Sequence, residues 1–430
     1  KMKNPGSVSV IRFFGAFGAA KRTAVVQTTS GPVQGLILKT INSVKYAAFK
    51  GIPFAKPPLG HLRFKPPFEP DPWTEVYNAT KDATKCIQFD PDKMDIEGGE
   101  DCLKLNVATT MVKAPTEFKT VMVWIYGGSF ILGSSSLKSF PPDYLLEKDI
   151  VYVSLNYRGG PLGYLSLHHP NASGNAGLKD LVLGLQWVQK NIANFGGNPN
   201  NVTIVGGSAG SAAVGYLVLS DITAGLFHGS ISMSGVPLNP WAFQTPARAL
   251  HQAHRLLKEL GINSTDPNDI LEALYDVPAR EMTAATATIA RNFAPFAPTI
   301  ESETVASDPL LTECAVTKYL TGRFNQIPQI IGFEDQETVA FVSCTFHVRL
   351  IEIYGIKNTV FKTKMFLQPR TLSYCQLFIL NFIFKGAGHG DDISFIFYYA
   401  RMNYSTDPMS PVRRTINRMV TMWTNFAKYG

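Results

Sequence analysis

The feature that most restricts the fold of this 430-residue chain is a series of short runs that are almost wholly apolar. They are shorter than ordinary helices, and they lack the alternation of polar and apolar residues that marks a half-exposed strand. Runs of this kind are typical of strands that are buried on both faces of a sheet. The runs comprise residues 103–108, 120–125, 151–155, 202–205, 229–233 and 329–332.

Helical patterns lie between these runs, and the clearest covers residues 178–193, where apolar residues recur at spacings of three and four. Strands that alternate with helices indicate an α/β fold with a central, mostly parallel sheet flanked by helices. Nearer the start of the chain, further runs separated by turn residues predict a small antiparallel hairpin sheet. These runs comprise residues 24–28, 33–38 and 45–49.

The run 202–205 leads directly into Gly206-Gly207-Ser208-Ala209-Gly210, which is a G-x-S-x-G pattern. Where a buried strand passes through a tight turn into a helix, this pattern exposes its serine at the end of the strand. The alternative interpretation is an ordinary strand-to-helix connection in which the serine caps the helix. Because ligands of α/β sheets bind at the carboxyl ends of the strands, the position favours a nucleophile.

A nucleophilic serine needs a base, an acid that orients the base, and donors for an oxyanion. His389 lies among three glycines directly after the apolar run 377–384, a setting that suits an imidazole at a strand end. Three acids follow the last of the buried runs, namely Glu334, Asp335 and Glu337, and the pattern alone does not choose among them.

Candidate oxyanion donors lie in residues 124–130, where consecutive small residues follow another buried run. Taken separately, each of these segments also fits a glycine turn or a solvated acidic loop. Their order along the chain, serine then acid then histidine, is the order found in α/β-hydrolases. The combination therefore favours an enzyme that transfers acyl groups through a serine.

Composition limits the other classes of function. The net charge is +7 and the pI is about 9.0, but the basic residues are scattered and do not alternate with aromatic residues, which argues against nucleic-acid binding. No stretch approaches the roughly 18 apolar residues of a transmembrane helix. Cys and His residues do not occur at zinc-site spacing. We expect no nucleic-acid partner, no transmembrane segment, no metal and no organic cofactor, while the oligomeric state stays open.

The chain has five cysteines, so at least one of them is free or pairs with another chain. Cys86 and Cys102 bracket the acidic loop 90–101, and a disulfide between them would stabilise the fold by about 3 kcal/mol. Two reduced and buried thiols are the alternative. The states of the other three cysteines are not indicated.

Two further features bear weakly on localisation. Residues 1–22 have a basic flank, an apolar body and a small-residue end, which fits either a signal-like segment or an N-terminal arm. Five N-glycosylation motifs occur, and the one at Asn201 adjoins a buried strand. These features favour the secretory pathway and a secreted glycoprotein. The remaining glycosylation candidates are Asn78, Asn171, Asn263 and Asn403.

Longer motifs carry a family resemblance. The segment 195–210 contains a complete nucleophile signature, and shorter matches surround it along the chain. Through these motifs the chain resembles the carboxylesterase and cholinesterase family of α/β-hydrolases, most of all the insect-type carboxylesterases. The resemblance covers roughly residues 25–430. The shorter matches lie at 51–55, 57–60, 100–103, 156–158, 160–163 and, more loosely, 293–298.

The resemblance implies a role for each site residue. Ser208 would be the nucleophile and His389 the general base and then acid. Glu337 would complete the triad, since it lies five residues after Gly332 as the family's acid does.

The resemblance also implies the surroundings of the triad. The N–H groups of Gly128, Ser129 and Ala209 would bind the oxyanion, and Ser234 would lie behind the triad. It further implies three structural pairs, which are the Cys86–Cys102 disulfide and the ion pairs Arg63–Glu100 and Arg158–Asp180.

The chain also departs from the family pattern. Glu337 and His389 are 52 positions apart, about half the usual separation. We therefore expect a single domain at 23–430 with a shortened excursion at 339–370, preceded by the N-terminal arm or signal-like segment at 1–22, while the family continues beyond residue 430.

Two smaller departures concern chemistry. Ser129 and Thr338 replace small residues of the family, and neither removes a needed group. The loop between Cys86 and Cys102 lacks the tryptophan on which cholinesterases stack choline. The expected substrates are therefore small to medium esters other than choline esters. The alternative function is that of a catalytically impaired protein of the same fold that acts in binding or adhesion.

Overall fold

The computed structural model describes residues 21–110, 117–290, 294–335, 337 and 387–430. Several predictions fall wholly or largely outside these residues. They concern the N-terminal segment 1–22, the excursion 339–370, the apolar run 377–384, and the state of Cys344 and Cys375. They stay predictions.

Strands and helices alternate along the described chain, with bounds close to those expected from the apolar runs. The strands are β1 (Arg22–Gln27), β2 (Pro32–Lys39), β3 (Lys45–Pro53), β4 (Tyr77–Asn78), β5 (Gln88–Asp90), β6 (Asp95–Glu97), β7 (Lys104–Thr109), β8 (Lys119–Ile125), β9 (Val151–Leu155), β10 (Ser166–His169), β11 (Ala172–Ser173), β12 (Gly197–Gly207), β13 (Gly229–Met233) and β14 (Gln329–Gly332). The helices are α1 (Asp143–Leu146), α2 (Gly160–Tyr164), α3 (Ala176–Asn191), α4 (Ala209–Leu219), α5 (Pro246–Glu259), α6 (Pro267–Asp276), α7 (Ala279–Ile289), α8 (Ala315–Leu320), α9 (Ile393–Ile396) and α10 (Pro411–Tyr429).

One large sheet contains ten of the described strands, in the order β1-β2-β3-β7-β9-β8-β12-β13-β14, with β4 beside β2. The pairs β5–β6 and β10–β11 form two small antiparallel sheets. The pairs from β1 to β9 are antiparallel. The pairs from β9 through β8, β12 and β13 to β14 are parallel. The predicted α/β class is confirmed, and the N-terminal hairpin strands join the central sheet through the pairing of β3 with β7.

Helices cover the central strands, which explains why those strands consist mainly of apolar residues. Every residue of β8, β9 and β13 is buried. The spacing that predicted a helix at 178–193 corresponds to α3, and Leu181, Leu185 and Val188 are buried on it. None of the helices in the described part of the chain is both long and apolar enough to cross a membrane.

The register of the parallel strands brings their carboxyl ends to one edge of the sheet. Gly206 of β12 lies opposite Ile125 of β8, and Gly207 lies opposite Met233 of β13. Met233 in turn lies opposite Gly332 of β14. The chain that leaves each of these strands therefore begins at the same edge, where four segments with candidate site residues meet.

Candidate active site

Ser208 lies in the tight turn between β12 and α4. Its backbone has φ 56° and ψ −124°, a positive-φ conformation that costs a non-glycine residue about 1–3 kcal/mol. Neighbouring glycines make room for this turn, because a Cβ on Gly206 would lie 2.3 Å from the carbonyl oxygen of Gly210. The N–H of Ser208 donates to the carbonyl oxygen of Met233 at 2.8 Å. The turn therefore places the serine at the carboxyl edge of the sheet, as the motif predicts.

Three half-buried side chains form a line of contacts at this edge. The Nε2 atom of His389 lies 2.7 Å from Oγ of Ser208. Its Nδ1 atom lies 2.5 Å from Oε2 of Glu337. Because a carboxylate only accepts hydrogen bonds, Nδ1 carries the proton and Nε2 is left to accept from the serine hydroxyl. Of the three acids that the sequence left open, Glu337 is the one in contact with the imidazole.

The Glu337 carboxyl is stabilised in its ionised form. Burial raises its pKa, but hydrogen bonds from His389 and the backbone N–H of Glu334, together with the nearby Ser234 hydroxyl, lower it by more, so the pKa lies below its ordinary value. The N–H of Glu334 donates to Oε1 of Glu337 at 2.8 Å. The Oγ atom of Ser234 is buried and has no regular hydrogen-bond geometry with any described residue. We therefore attribute the ionisation mainly to His389 and the Glu334 amide, with the Ser234 hydroxyl as a nearby dipole.

Two other carboxyls beside the triad have a pKa that is raised rather than lowered. Burial, together with the charge on Glu337, raises the pKa of Asp392 to about 7. Burial and the charges of Asp392, Asp391 and Glu337 raise the pKa of Glu334 to about 8. Near pH 7 the Glu334 carboxyl is therefore mainly neutral, and the Asp392 carboxyl is about half protonated. The ionised carboxylate at the imidazole is that of Glu337.

The loop after β8 passes directly over the serine. A Cβ on Gly127 would lie 2.8 Å from the Cβ of Ser208. Gly128 and Ser129 follow with φ values of 128° and 55°. Ala209 is the first residue of α4, and the first amides of a helix have no acceptor within the helix. The three predicted oxyanion donors therefore belong to the two segments that flank the Ser208 hydroxyl.

The predicted structural pairs are present. Cys86 and Cys102 form a disulfide, while Cys314 is free and half-buried. Arg63 binds Glu100 with an Nε–Oε1 distance of 2.6 Å, and its Nη1 atom also donates to three carbonyl groups at the end of α6. The disulfide loop is thereby fixed to the helical region that follows α5.

Arg158 and Asp180 form a second ion pair, which is almost completely buried. Two nitrogen atoms of the guanidinium bind both carboxylate oxygens, at 2.9 and 2.7 Å. The pair joins the loop after β9 to helix α3. These bonds contact no member of the triad.

The glycosylation candidates differ in exposure. Asn78, Asn263 and Asn403 are exposed, whereas Asn171 is half-buried and its motif ends in the buried Ser173. Asn201, which the sequence analysis set aside, donates its amide to Oγ1 of Thr120 at 3.0 Å. A metal site has no candidate among the described residues, where no three potential ligands cluster.

Sequence reasoning missed two features of the site. Asp392 is buried beside the triad, and only its position three residues after His389 pointed to it. Asp335 was one of three open candidates for the third triad member. Its Oδ1 atom instead accepts from the N–H of Ala387 at 2.7 Å. The contact between Asp335 and Ala387 has no local sequence signal, because it joins residues 52 positions apart in the chain.

Comparisons with known proteins find esterases with similar sequences. The chain is 33% identical to a juvenile hormone esterase of Heliothis virescens over 362 residues, which is 82% of this chain and 63% of that protein. It is 38% identical to a juvenile hormone esterase of Tribolium castaneum over 327 residues, or 73% of this chain and 55% of that protein. An acetylcholinesterase of Danio rerio is 41% identical over 283 residues, which is 63% of this chain and 44% of that protein. The chain thus spans less than two thirds of the length of each of these relatives.

A solved structure is also similar. It is the crystal structure of juvenile hormone esterase from Manduca sexta with OTFP covalently attached, and it matches with a TM-score of 0.82 and 29% sequence identity. The match covers 94% of this chain and 90% of that one. The sequence profile of the Carboxylesterase family matches residues 22–368. Because that match covers most of the sequence, the chain belongs to the carboxylesterase family.

Proposed function

We propose that this protein is a carboxylic ester hydrolase that works through Ser208, His389 and Glu337. The observation that carries the proposal is the line of two contacts, 2.7 Å from Ser208 to His389 and 2.5 Å from His389 to Glu337. Both distances lie within or at the edge of the range over which a base activates a nucleophile. The covalent attachment of OTFP to the Manduca sexta enzyme supports a covalent mechanism in the family.

The reaction proceeds in two halves. In the first, Oγ of Ser208 attacks the ester carbonyl while Nε2 of His389 takes its proton, and the imidazolium then protonates the alcohol as it leaves. In the second, the same imidazole takes a proton from water, which attacks the acyl-serine and releases the acid. The ionised carboxylate of Glu337 holds the imidazole in the correct tautomer and stabilises the imidazolium.

The amides of Gly128, Ser129 and Ala209 bind the oxyanion in this proposal. Two of them lie in the loop that packs on Ser208, and the third begins α4. Removal of one such donor typically costs about 10²–10³ in kcat. Ser129 has a positive φ, which a serine adopts less readily than glycine, one of the two residues that the family usually has at this position.

The substrates are small to medium esters without a choline group. The loop between Cys86 and Cys102, which forms the hairpin β5–β6, contains no tryptophan to stack on a quaternary ammonium. A comparison of acetylcholine with its uncharged analogue 3,3-dimethylbutyl acetate tests this directly. We expect a kcat/KM for the neutral ester at least equal to that for acetylcholine. A clear preference for acetylcholine would contradict the proposed substrate class.

The protein acts in the secretory pathway or outside the cell. Support comes from the Cys86–Cys102 disulfide and from the exposed glycosylation motifs at Asn78, Asn263 and Asn403. Peptide mapping of the protein after secretion from insect cells should find glycans at these positions. Finding the motifs unmodified would remove this support.

The decisive experiment is labelling with a fluorophosphonate, followed by intact-mass analysis and peptide mapping. We expect one label per chain, located at Ser208, and no label on a His389→Ala variant of the same folded content by circular dichroism. An unlabelled but folded wild-type protein would overturn the proposal. That result would favour the alternative role in binding or adhesion.

A further inference from the structure

A carboxylate joins the two loops that carry the acid and the base of the proposed triad. The acid loop comprises residues 333–335 and 337, and the histidine loop comprises residues 387–391. Oδ1 of Asp335, in the acid loop, accepts a hydrogen bond from the N–H of Ala387 at 2.7 Å. The two residues are 52 positions apart in the sequence. An ionised acceptor makes such a bond about twice as strong as one between neutral groups.

The bond between Ala387 and Asp335 can affect the position of His389 because the histidine loop is short and closed by hydrogen bonds. Ala387 is buried and lies two residues before the imidazole. The next four residues close into a turn, in which the N–H of Asp391 donates to the carbonyl oxygen of Gly388 at 3.1 Å. The N–H of Gly388 donates in return to Oδ2 of Asp391 at 2.8 Å. Because Gly388 and Asp391 each donate a hydrogen bond to the other, the turn between them moves as a unit. A shift of Ala387 therefore also shifts His389.

The acid loop also binds the side chain of Glu337, which it carries. The N–H of Glu334 binds Oε1 of Glu337, and the adjacent Asp335 binds the histidine loop. The acid loop leaves β14 at Gly332, whose carbonyl oxygen accepts from the N–H of Ser234 at 2.8 Å. The loop is therefore fixed to the sheet at one end and binds both Glu337 and the histidine loop through consecutive residues.

We propose that Asp335 is a positioning residue, which sets the place of His389 relative to Ser208 and Glu337 without touching the substrate. This inference rests on the proposed triad. The contact between His389 and Glu337 is one side-chain hydrogen bond, and Nε2 of the same ring contacts Ser208. The bond from Ala387 to Asp335 adds a backbone attachment between the same two loops, and it lies at the first residue of the histidine loop, before the turn that carries the imidazole.

The test compares Asp335→Ala, which removes the acceptor, with Asp335→Asn, which keeps a carbonyl oxygen in its place. Competent sites are first counted by titration with a fluorophosphonate, and kcat and KM for an aryl acetate are then expressed per competent site. For Asp335→Ala we expect kcat to fall about tenfold to a hundredfold, which is the loss expected when the His389 imidazole is misplaced by about 1 Å. We expect KM to change less than about twofold. Asp335→Asn should recover kcat to within about threefold of the wild type, because the acceptor oxygen is retained.

A matched control is Asp308→Ala, which removes an exposed acid whose described side-chain bond is to the adjacent Ser307. It should leave kcat per site unchanged. If Asp335→Ala lowers only the number of competent sites or the melting temperature, the residue is merely structural and the inference is wrong. Equal losses in the Asn and Ala variants would also overturn it. Failure of the wild type itself to label would instead contradict the proposed function, so the two failures are distinguishable.

Discussion

Replacement of Ser208 by alanine and by glycine separates the chemical role of this residue from its conformational cost. Both variants lose the hydroxyl, so both should lose at least about four powers of ten in kcat, as expected when a nucleophile is removed. They differ in the backbone. Alanine keeps a Cβ at φ 56°, whereas glycine adopts positive φ without a steric penalty.

The structure gives an estimate of the difference in stability. Either variant loses the hydrogen bond between Ser208 and His389, which contributes about 1 kcal/mol. The glycine variant also relieves about 1–3 kcal/mol of backbone strain. Against this stands the larger conformational entropy of glycine in the unfolded chain, which costs about 0.5–1 kcal/mol. We therefore expect Ser208→Gly to be more stable than Ser208→Ala by about 1 kcal/mol.

The assay is equilibrium denaturation in urea, monitored by tryptophan fluorescence, with ester hydrolysis measured on the same preparations. The matched control is the same pair of substitutions at Ser307, which is exposed and does not have positive φ. There the order should reverse, with glycine less stable than alanine by about 0.5–1 kcal/mol. A glycine variant at Ser208 that is less stable than the alanine variant would refute the strain argument. Activity near that of the wild type in either would refute the nucleophile.

Three further predictions concern the surroundings of the site. Reduction of the Cys86–Cys102 disulfide, or its replacement by two alanines, should lower the free energy of unfolding by about 3 kcal/mol because a loop of this length is no longer closed; an unchanged denaturation midpoint would argue against this. Asp180→Asn should lower the free energy of unfolding by about 3–5 kcal/mol, because it leaves the guanidinium of Arg158 buried without its counter-ion. Thermal unfolding of the variant and the wild type measures this loss. The third prediction concerns pH: burial and neighbouring charges raise the pKa of Glu334 from 4.5 to about 8 in the folded state, so stability is lost as pH rises through this interval. Glu334→Gln should therefore gain stability relative to the wild type from pH 5 to pH 8, and a gain that shrinks over this range would contradict the shift.

Much of the fold could be predicted because its signals are local. The runs 151–155 and 229–233 coincide with β9 and β13, which are buried throughout, since strands buried on both faces are mainly apolar. The run 329–332 coincides with β14, but the expected burial on both faces is wrong there, because this strand lies at the edge of the described sheet and its last two residues are exposed. The helix α3 was evident from its buried stripe. The run 202–205 was underestimated, because β12 begins at Gly197 with polar residues that carry no strand signal. The pairing of β3 with β7 depends on contacts between distant segments, for which a single sequence has no signal.

The candidate site also has some features with a local sequence signal and others without one. The surroundings of Ser208 follow from a few adjacent residues, because the turn, the glycines and the helix start form one continuous segment. The register of the sheet then predicts that segments leaving β8, β12, β13 and β14 meet at one edge. It does not predict which side chains meet there, since that depends on loop conformations that the register leaves free. Asp335 is an example, because its partner Ala387 lies in a different loop.

The choice among the three acids after β14 shows what the structure adds. As a pattern, Glu334, Asp335 and Glu337 are equivalent, and each could face an imidazole. Their surroundings make them different: burial keeps Glu334 neutral near pH 7, and Asp335 is engaged by the backbone of the histidine loop. Glu337 accepts hydrogen bonds that lower its pKa by more than burial raises it, so it is the acid best able to hold a negative charge beside His389. A carboxylate that stabilises an imidazolium must itself be ionised when the proton arrives. This requirement, together with the contact to Nδ1, is the physical reason for proposing Glu337 as the third member of the triad.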